Sequence, residues 1–225
     1  MDKIMRIAID GPVGAGKSTI AKAVAERLGF IYIDTGALYR AIGVHCAKNG
    51  VDVDDDKATA EHIAGMEADL RLAENGQRVF VNGEDLTDKI RTPEASMLAS
   101  RVSANPRVRG FLLDLQRSFA RDNSVIMDGR DIGTVVLPDA ELKIFLTADA
   151  EERAKRRYDE LAAKGVDTDY EAVLADLNKR DYDDSHRDFA PLKMADDAVL
   201  TDTTGNTFEQ SVEEIMGIIN EKLGK

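Results

Sequence analysis

The eight residues 11–18, GPVGAGKS, constrain this chain more than any other stretch, because they satisfy the pattern G-x-x-x-x-G-K-[ST]. A short apolar run at residues 6–9 precedes them, and Asp10 ends that run. Apolar residues then recur at helical spacing as far as Leu28, and Gly29 is placed to end the helix. A strand, a glycine-rich loop and a helix therefore follow one another in the order that a phosphate-binding loop requires.

Such a loop turns successive backbone N–H groups towards a bound phosphate, and the helix that follows adds the positive end of its dipole. The pattern assigns Lys17 to the terminal phosphates and the Ser18 hydroxyl to a magnesium ion. The sequence therefore predicts Mg²⁺-dependent binding of a nucleoside triphosphate. The residues expected to bind it are Gly11, Pro12, Val13, Gly14, Ala15, Gly16, Lys17, Ser18 and Thr19.

The composition is that of an α/β protein with one domain and decorations, or at most two small domains. The chain has 225 residues, of which 43% are hydrophobic, and no apolar run approaches the length of a membrane span. The start, MDKIMRIAIDG, has an acidic second residue and is not typical of a signal peptide. A single cysteine, Cys46, excludes an internal disulfide and fits a reducing compartment. We therefore expect a cytoplasmic protein.

Charge narrows the class of partner. The formal net charge of −12 argues against binding to nucleic acid, which requires a basic surface. Arginines are nevertheless bunched locally, which suggests a small anionic ligand held at a few points, although ordinary solvated helix faces are the alternative. The bunches comprise Arg101, Arg107 and Arg109, then Arg153, Arg156 and Arg157, and then Arg180 and Arg187. The three histidines are scattered singly and predict no metal cluster.

The rest of the chain alternates strand and helix patterns. Strand-like runs at residues 30–33, 124–128, 142–146 and 198–200 join the first run, which predicts a parallel sheet with helices on both faces. Residues 69–88 alternate instead, with turn signals at 74–76 and at Asn82-Gly83, and predict a small antiparallel insert.

Cap signals predict where several helices begin. Thr35 is expected to cap a helix that runs to about Lys48, and Asp149 with Glu152 resembles a capping box. Thr207 with Gln210 is expected to cap the last helix. The acidic run VDVDDDK lacks the glycine and glutamate of a calcium loop, and it is interpreted as a solvated turn that starts a helix.

The predicted strand at residues 124–128 ends in Asp128. In phosphate-loop enzymes an acid at this position commonly helps to hold the magnesium shell, although a simple polar strand end is the alternative. Gly129, Arg130 and Asp131 follow at the carboxyl end of the strand, where open α/β sheets bind ligands.

Two classes of nucleotide-binding protein remain open at this point. The segment 178–181, NKRD, matches the element by which guanine-nucleotide switch proteins read their base, but the residues before it have helical spacing. An enzyme that transfers a phosphoryl group between two anionic nucleotides accounts for the bunched arginines, because this reaction requires cations around the transferred group. It also needs no catalytic histidine, since an acceptor phosphate is already an anion.

Taken together, these motifs resemble the bacterial cytidylate kinases, a family of nucleoside monophosphate kinases. The similarity runs in order over nearly the whole chain and includes GPVGAGKST, DTGALYR, the insert, PRVR, DGRD followed by IGTVV, and the run from Arg180 to Arg187. It implies a P-loop, adenylate-kinase-like α/β fold with a five-stranded parallel sheet, formed by a single domain. The core would comprise about 1–34, 106–150 and 190–225, the monophosphate-binding region with the insert about 35–105, and a short mobile lid about 151–189.

The resemblance also implies roles for individual residues. The acceptor phosphate would be contacted by Thr35, Arg40, Arg130 and Arg180. The cytosine would be surrounded by Ser100, Arg109, Asp131 and Arg187, and the sugar would be bound by Asp184. Arg153, Arg156 and Arg157 would close over the transferring phosphates, with Lys17, Arg130, Arg153 and Arg157 as catalytic residues and Arg156 at the ATP. Ser18 and Asp128 would hold Mg²⁺.

The expected activity is transfer of the γ-phosphate of ATP to CMP or dCMP, by a monomer that binds neither nucleic acid nor a membrane. Some relatives have Ser where this chain has Thr35, and threonine keeps the hydroxyl group. Some relatives have Gly where this chain has Ser18, and serine here restores the hydroxyl group that binds magnesium.

Overall fold

The computed structural model describes residues 4–73 and 76–224, which form a mixed α/β fold. Its strands and helices are, in order, β1 (Arg6–Asp10), α1 (Lys17–Leu28), β2 (Ile31–Asp34), α2 (Thr35–Lys48), α3 (Asp56–Ile63), β3 (Ala68–Ala73), β4 (Gly76–Val81), β5 (Glu84–Asp85), α4 (Pro93–Ala104), α5 (Pro106–Arg121), β6 (Val125–Gly129), β7 (Leu142–Thr147), α6 (Ala150–Ala163), α7 (Tyr170–His186), β8 (Val199–Asp202) and α8 (Phe208–Leu223). A π-helical turn, Ile132–Val136, follows β6.

The main sheet has five strands in the order β2-β6-β1-β7-β8, which confirms the predicted parallel sheet. β1 lies in the middle, and its residues Ile7, Ala8 and Ile9 are fully buried. The parallel register pairs Asp10 with Gly129, so the ends of β1 and β6 lie at the same edge of the sheet. This edge is where the loops after parallel strands can meet a ligand.

Helices α1 and α8 pack against this sheet through apolar side chains. Ile20 and Val24 of α1 and Ile215 and Ile219 of α8 belong to one buried cluster with the strands. At the start of α8 the Thr207 hydroxyl and the Gln210 side chain form the predicted capping box. The first and last helices therefore help to fix the strand from which the phosphate loop leaves.

The described chain divides into two compact units. Residues up to Tyr32 and from Asn123 onward form one unit, and residues 33–122 form the other. Helix α5 belongs to the second unit, whereas the resemblance grouped residues 106–150 with the core. The functional boundaries drawn from the resemblance stay a prediction. No helix within the described ranges is long and apolar enough to span a bilayer.

The unit 33–122 contains the predicted antiparallel insert, a three-stranded sheet in the order β3-β4-β5. The turn between β4 and β5 has positive φ angles at Asn82 (49°) and Gly83 (78°), as a tight hairpin turn requires. The turn signal at residues 74–76 includes Glu74 and Asn75, which lie outside the described residues.

One predicted capping residue is wrong, and one predicted capping box does not form although its helix begins where predicted. Asp34, not Thr35, caps α2: its backbone is extended and its carboxylate accepts a hydrogen bond from the Ala37 N–H at 3.0 Å, so Thr35 is already helical. Asp149 precedes α6, but its side chain caps no N–H group in the part of the chain that is described. Glu152 accepts instead from the Gly205 N–H at 2.7 Å, because the loop after β8 passes this helix start.

The histidines are not all isolated, contrary to the sequence-based expectation. His45 of α2 and His62 of α3 lie with Nδ1 and Nε2 3.1 Å apart. Burial, followed by the neighbouring His62, lowers the pKa of His45. The two residues are 17 positions apart and lie on different helices, so no local spacing in the sequence indicates their contact.

The start of the phosphate loop gives a first testable consequence. Gly11 has a φ of +150°, and a Cβ atom there would overlap the Leu146 carbonyl oxygen of β7. We expect Gly11→Ala to lower the free energy of unfolding by about 3 kcal/mol, because the backbone of two central strands must move apart. Urea denaturation of the purified variants measures this.

Gly110→Ala is the control for the same change of residue. Gly110 lies within α5 with open space around its Cβ position, so alanine there is expected to leave stability unchanged or to raise it by about 1 kcal/mol. Equal urea midpoints for the Gly11 and Gly110 variants would contradict the close approach of β1 and β7.

Candidate active site

The phosphate loop has the backbone that its glycines permit. Gly14 and Gly16 have φ angles of 75° and 83°, and α1 begins at Lys17. The Lys17 ammonium is buried and donates to the Pro12 carbonyl oxygen at 2.6 Å, so the side chain folds back along the loop. The predicted loop and helix are both present, which places the amino end of α1 at the carboxyl edge of the sheet.

Ser18 and Asp128, the two predicted magnesium ligands, lie together. The Ser18 hydroxyl donates to one oxygen of the Asp128 carboxylate at 2.7 Å. The other oxygen accepts from the Tyr32 hydroxyl at 2.8 Å, a contact that no sequence motif indicated. A hydroxyl and a carboxylate are hard oxygen donors, the kind that Mg²⁺ uses together with phosphate oxygens and water. The residues present therefore fit this ion.

Burial controls the charge of Lys17. Its pKa is lowered to about 7, mainly by removal from water and in second place by the positive charge of Arg130. The carboxylates of Asp128, Asp10 and Asp184 act in the opposite direction. A group of anionic oxygens beside this ammonium would restore its charge, which is what bound phosphates supply.

Asp10 holds the turn that follows Asp131. Its carboxylate accepts from the N–H groups of Ile132 at 2.8 Å and Gly133 at 2.7 Å. The pKa of Asp10 is raised to about 6, mainly by burial and to a smaller extent by the Asp131 charge. The two backbone hydrogen bonds and Lys17 oppose this shift. Asp10 was interpreted from the sequence only as the end of a strand, because its partners lie more than 120 residues away.

Four predicted substrate-binding residues form a chain of opposite charges in this unit. Arg130 donates to Asp184 at 2.7 Å, and Arg187 lies 3.7 Å from both Asp184 and Asp131. Burial alone would raise the pKa of Asp184, but Arg130 and Arg187 reverse the effect and lower it. Burial alone would likewise lower the pKa of Arg130, and Asp184 raises it above its ordinary value. Arg130 and Asp184 therefore stabilise each other in their charged forms.

Arg153 is tied to the phosphate loop. Its guanidinium donates to the carbonyl oxygens of Ala148 at 2.8 Å and Val13 at 2.7 Å, and to Asp181 at 2.6 Å. Asp181 also accepts from the Val13 N–H at 3.0 Å. Asp181 belonged to two sequence motifs, the NKRD segment and the run from Arg180 to Arg187, but neither indicated a contact with the loop. That contact depends on the packing of α7 beside α6.

The remaining predicted arginines of this unit lie on α6 and α7. Arg156 pairs with Glu152 and donates to the Thr203 carbonyl oxygen at 3.0 Å. Arg157 pairs with Glu160 at 2.7 Å and is about a third exposed, with a side-chain exposure of 31%. Arg180 lies 3.7 Å from Asp176, and burial, with Arg130 adding to it, lowers its pKa.

The unit 33–122 carries the other predicted residues. Asp34 pairs with Arg40 at 2.6 Å, and Thr35 beside them is buried. Arg109 is also buried, donates to the Ser103 carbonyl oxygen at 3.1 Å and lies 5.3 Å from the centre of the Tyr39 ring. Ser100, one helical turn before Ser103 on α4, accepts through its carbonyl oxygen from the Ser103 hydroxyl at 2.9 Å.

Comparison with known proteins decides the family. The family model described as "Cytidylate kinase" matches residues 7–221, which is nearly the whole chain. The chain belongs to the cytidylate kinase family. A curated cytidylate kinase of Caldicellulosiruptor bescii is 51% identical over 214 residues, with 95% of each chain covered. That of Ligilactobacillus salivarius is 50% identical over 222 residues, with 99% of each covered.

A solved structure of an uncharacterized protein from Eubacterium ventriosum has the same fold. The TM-score is 0.53 at 15% identity, with 96% of this chain and 98% of the other covered. The membership in the cytidylate kinase family agrees with the resemblance drawn from the motifs. The guanine-switch interpretation of residues 178–181 is wrong on structural grounds as well, because these residues lie inside α7 and not after a strand.

The buried Lys17 gives a prediction on stability in this family member. Between about pH 7 and the ordinary pKa of lysine, the unfolded chain binds more protons at this residue than the native chain, so native stability rises with pH. Lys17→Met removes the effect. We expect the variant to be more stable than the wild type by about 1–3 kcal/mol near pH 7, and the difference to shrink towards pH 9.5.

Urea denaturation of both proteins at the two pH values measures the difference. Lys22→Met, an exposed position on the same helix, is the control and should change stability little at either pH. A Lys17→Met variant that is less stable than the wild type near pH 7 would contradict the cost of burying this charge.

Proposed function

We propose that this chain catalyses Mg²⁺-dependent transfer of the γ-phosphate of ATP to CMP or dCMP, giving CDP or dCDP and ADP. The observation that carries the proposal is the cluster at the carboxyl edge of the sheet. There a phosphate-loop lysine is buried beside Arg130, and Arg130 is held by Asp184 at 2.7 Å. Membership in the cytidylate kinase family supports this choice of reaction.

The donor is bound by the loop after β1. Backbone N–H groups of the loop and of the first turn of α1 hold the phosphates of ATP, and Lys17 reaches the terminal ones. Ser18 and Asp128 would hold Mg²⁺, and the ion would supply positive charge beside the phosphates of the donor. Arg156 contributes to the same nucleotide from α6.

The residues that the family resemblance assigned to the acceptor keep those roles in this proposal. The phosphate of CMP is bound by Thr35, Arg40, Arg130 and Arg180, and the sugar is bound by Asp184. Cytosine presents an amino group at N4 and acceptor atoms at O2 and N3. A carboxylate, Asp131, suits the amino group, and the donors Ser100, Arg109 and Arg187 suit the acceptor atoms.

Catalysis rests on position and charge. The acceptor is already an anion, so no side chain has to remove a proton from it. Lys17, Arg130, Arg153 and Arg157 stabilise the negative charge on the transferred group, and arginine suits this because its planar fork binds two phosphate oxygens at once. Closure of the lid, about 151–189, over the phosphates excludes water and suppresses hydrolysis of ATP.

Three further points stay predictions. They are the division into core, monophosphate-binding region and lid, the monomeric state, and the cytoplasmic location. The absence of nucleic-acid partners follows from the net charge of −12 and stays an expectation too.

An acceptor panel tests the proposal. Release of ADP from ATP is followed by a coupled assay in the presence of CMP, dCMP, UMP, AMP or GMP. We expect CMP and dCMP to give the highest kcat/KM, and activity to vanish on chelation of Mg²⁺. Preference for another acceptor would make the chain a different nucleotide kinase, and ATP binding without ADP release would favour a nucleotide-operated switch. Lys17→Ala is the inactive control: it should lose nearly all transfer and still bind CMP.

Base recognition by Asp131 gives a separate prediction. Asp131→Ala removes the carboxylate that accepts from the amino group of cytosine, so the preference for CMP over UMP should fall by about tenfold or more. The ratio of kcat/KM for the two acceptors measures it. Asp139→Ala, at an exposed acid that pairs with Arg6 on the surface, is the control and should keep the ratio of the wild type. An unchanged ratio in the Asp131 variant would refute the role.

A further inference from the structure

The insert sheet contacts the start of α2 through the side chain of Gln77. Its Oε1 accepts from the Asp34 N–H at 2.9 Å, and its Nε2 donates to the Asp34 carbonyl oxygen, also at 2.9 Å. A primary amide carries one acceptor and two donors side by side, so it can pair with both backbone groups of one extended residue. Gln77 therefore fixes the backbone of Asp34 as a neighbouring strand would.

Asp34 in turn contacts both the first turn of α2 and the side chain of Arg40. Its carboxylate caps α2 through the Ala37 N–H at 3.0 Å and pairs with Arg40 at 2.6 Å. Gly36 leaves the room that this pair needs: a Cβ there would lie 3.2 Å from both the Arg40 guanidinium and the Asp34 carboxylate. The direction of Arg40 therefore depends on the backbone conformation of Asp34.

We propose that Gln77 is a positioning residue for the acceptor phosphate. Acting through Asp34, it holds Thr35 and Arg40 in the orientation that binds the phosphate of the acceptor, and it gives the insert a part in substrate binding. The inference rests on the proposed function, in which Thr35 and Arg40 contact the phosphate of CMP. All the residues concerned lie in the unit 33–122.

The test separates the phosphate of the acceptor from its base. Dissociation constants of CMP and of cytidine, which lacks the phosphate, are measured by calorimetry for the wild type and for Gln77→Ala. We expect the variant to bind CMP about tenfold more weakly and cytidine as well as the wild type does. In steady-state assays KM for CMP should rise while KM for ATP stays within about twofold, because the donor loop belongs to the other unit.

Two further variants exclude a general effect on folding. Arg78→Ala is the matched control, because Arg78 is the next residue of β4 and pairs with Asp85 inside the insert. It should bind both ligands as the wild type does. Gln77→Glu keeps the acceptor for the Asp34 N–H, but an ionised carboxylate repels the Asp34 carbonyl oxygen. A protonated carboxyl group can donate to that oxygen again, and the facing carbonyl oxygen favours this neutral form. The CMP affinity of Gln77→Glu relative to the wild type should therefore recover as the pH falls from about 8 to about 5.

The outcomes are distinct. Unchanged CMP affinity in Gln77→Ala, equal weakening of CMP and cytidine, or the same loss in Arg78→Ala would each overturn the inference. If Gln77→Ala does not fold, the pH dependence of Gln77→Glu decides: recovery at low pH supports the role, and a constant ratio to the wild type overturns it. Failure of the proposed function would show itself separately, as a wild-type protein that neither phosphorylates CMP nor prefers it to cytidine.

Discussion

The burial of the Lys17 ammonium at the carboxyl edge of the parallel sheet is the constraint on which the surrounding charges depend. Removing this charge from water costs free energy, and the neighbouring groups lower or raise that cost. Burial lowers the pKa of Lys17 to about 7, and Arg130 nearby adds to the shift. The carboxylates of Asp128, Asp10 and Asp184 oppose the shift without cancelling it, so the positive charge of Lys17 is only partly compensated. The apolar strands beneath, with Ile7 and Ile9 fully buried, supply the rigid support that keeps these charges from moving apart. A site of this kind is stabilised by a ligand that brings several negative charges at once.

Several arginines of the unit that contains the phosphate loop already form ion pairs or hydrogen bonds with protein groups. Arg130 and Arg187 are held by Asp184, and Arg153 is held by Asp181 and the Val13 carbonyl oxygen. Holding a long, flexible cation in one rotamer before a phosphate arrives reduces the entropy lost on binding. The Asp184 carboxylate also keeps the Arg130 guanidinium charged where burial would disfavour the charge, because it raises the pKa of Arg130. Acidic residues therefore belong to a site that binds anions.

Local signals predicted local structure well. The phosphate loop, the strands and the capping box at Thr207 and Gln210 depend on neighbours in the sequence, and the structure has all of them. The cap of α2 went to Asp34 because its extended backbone and its bond to Gln77 are set by the insert, 43 residues away. The roles of Asp10 and Tyr32 and the meeting of His45 with His62 likewise come from contacts between distant segments. No periodicity or short motif carries that information, whereas the resemblance to a family indicated residues that pattern alone left open.

The donor loop and the residue proposed to read the base share one mechanical support. Asp10 is the last residue of β1, directly before Gly11, and its carboxylate holds the N–H groups of Ile132 and Gly133, directly after Asp131. A shift of β1 would therefore move the phosphate loop and Asp131 together. In-line transfer of a phosphoryl group tolerates little error in the distance between donor and acceptor. A support shared by the phosphate loop and Asp131 would keep that distance constant. Burial is the main cause that raises the pKa of Asp10 to about 6. Between the ordinary pKa of aspartate and about pH 6, the native chain therefore releases this proton less readily than the unfolded chain. Native stability falls as the pH rises through this range. The buried Asp10 carboxylate therefore lowers native stability in this pH range, and it links the phosphate loop to the residue proposed to bind the base.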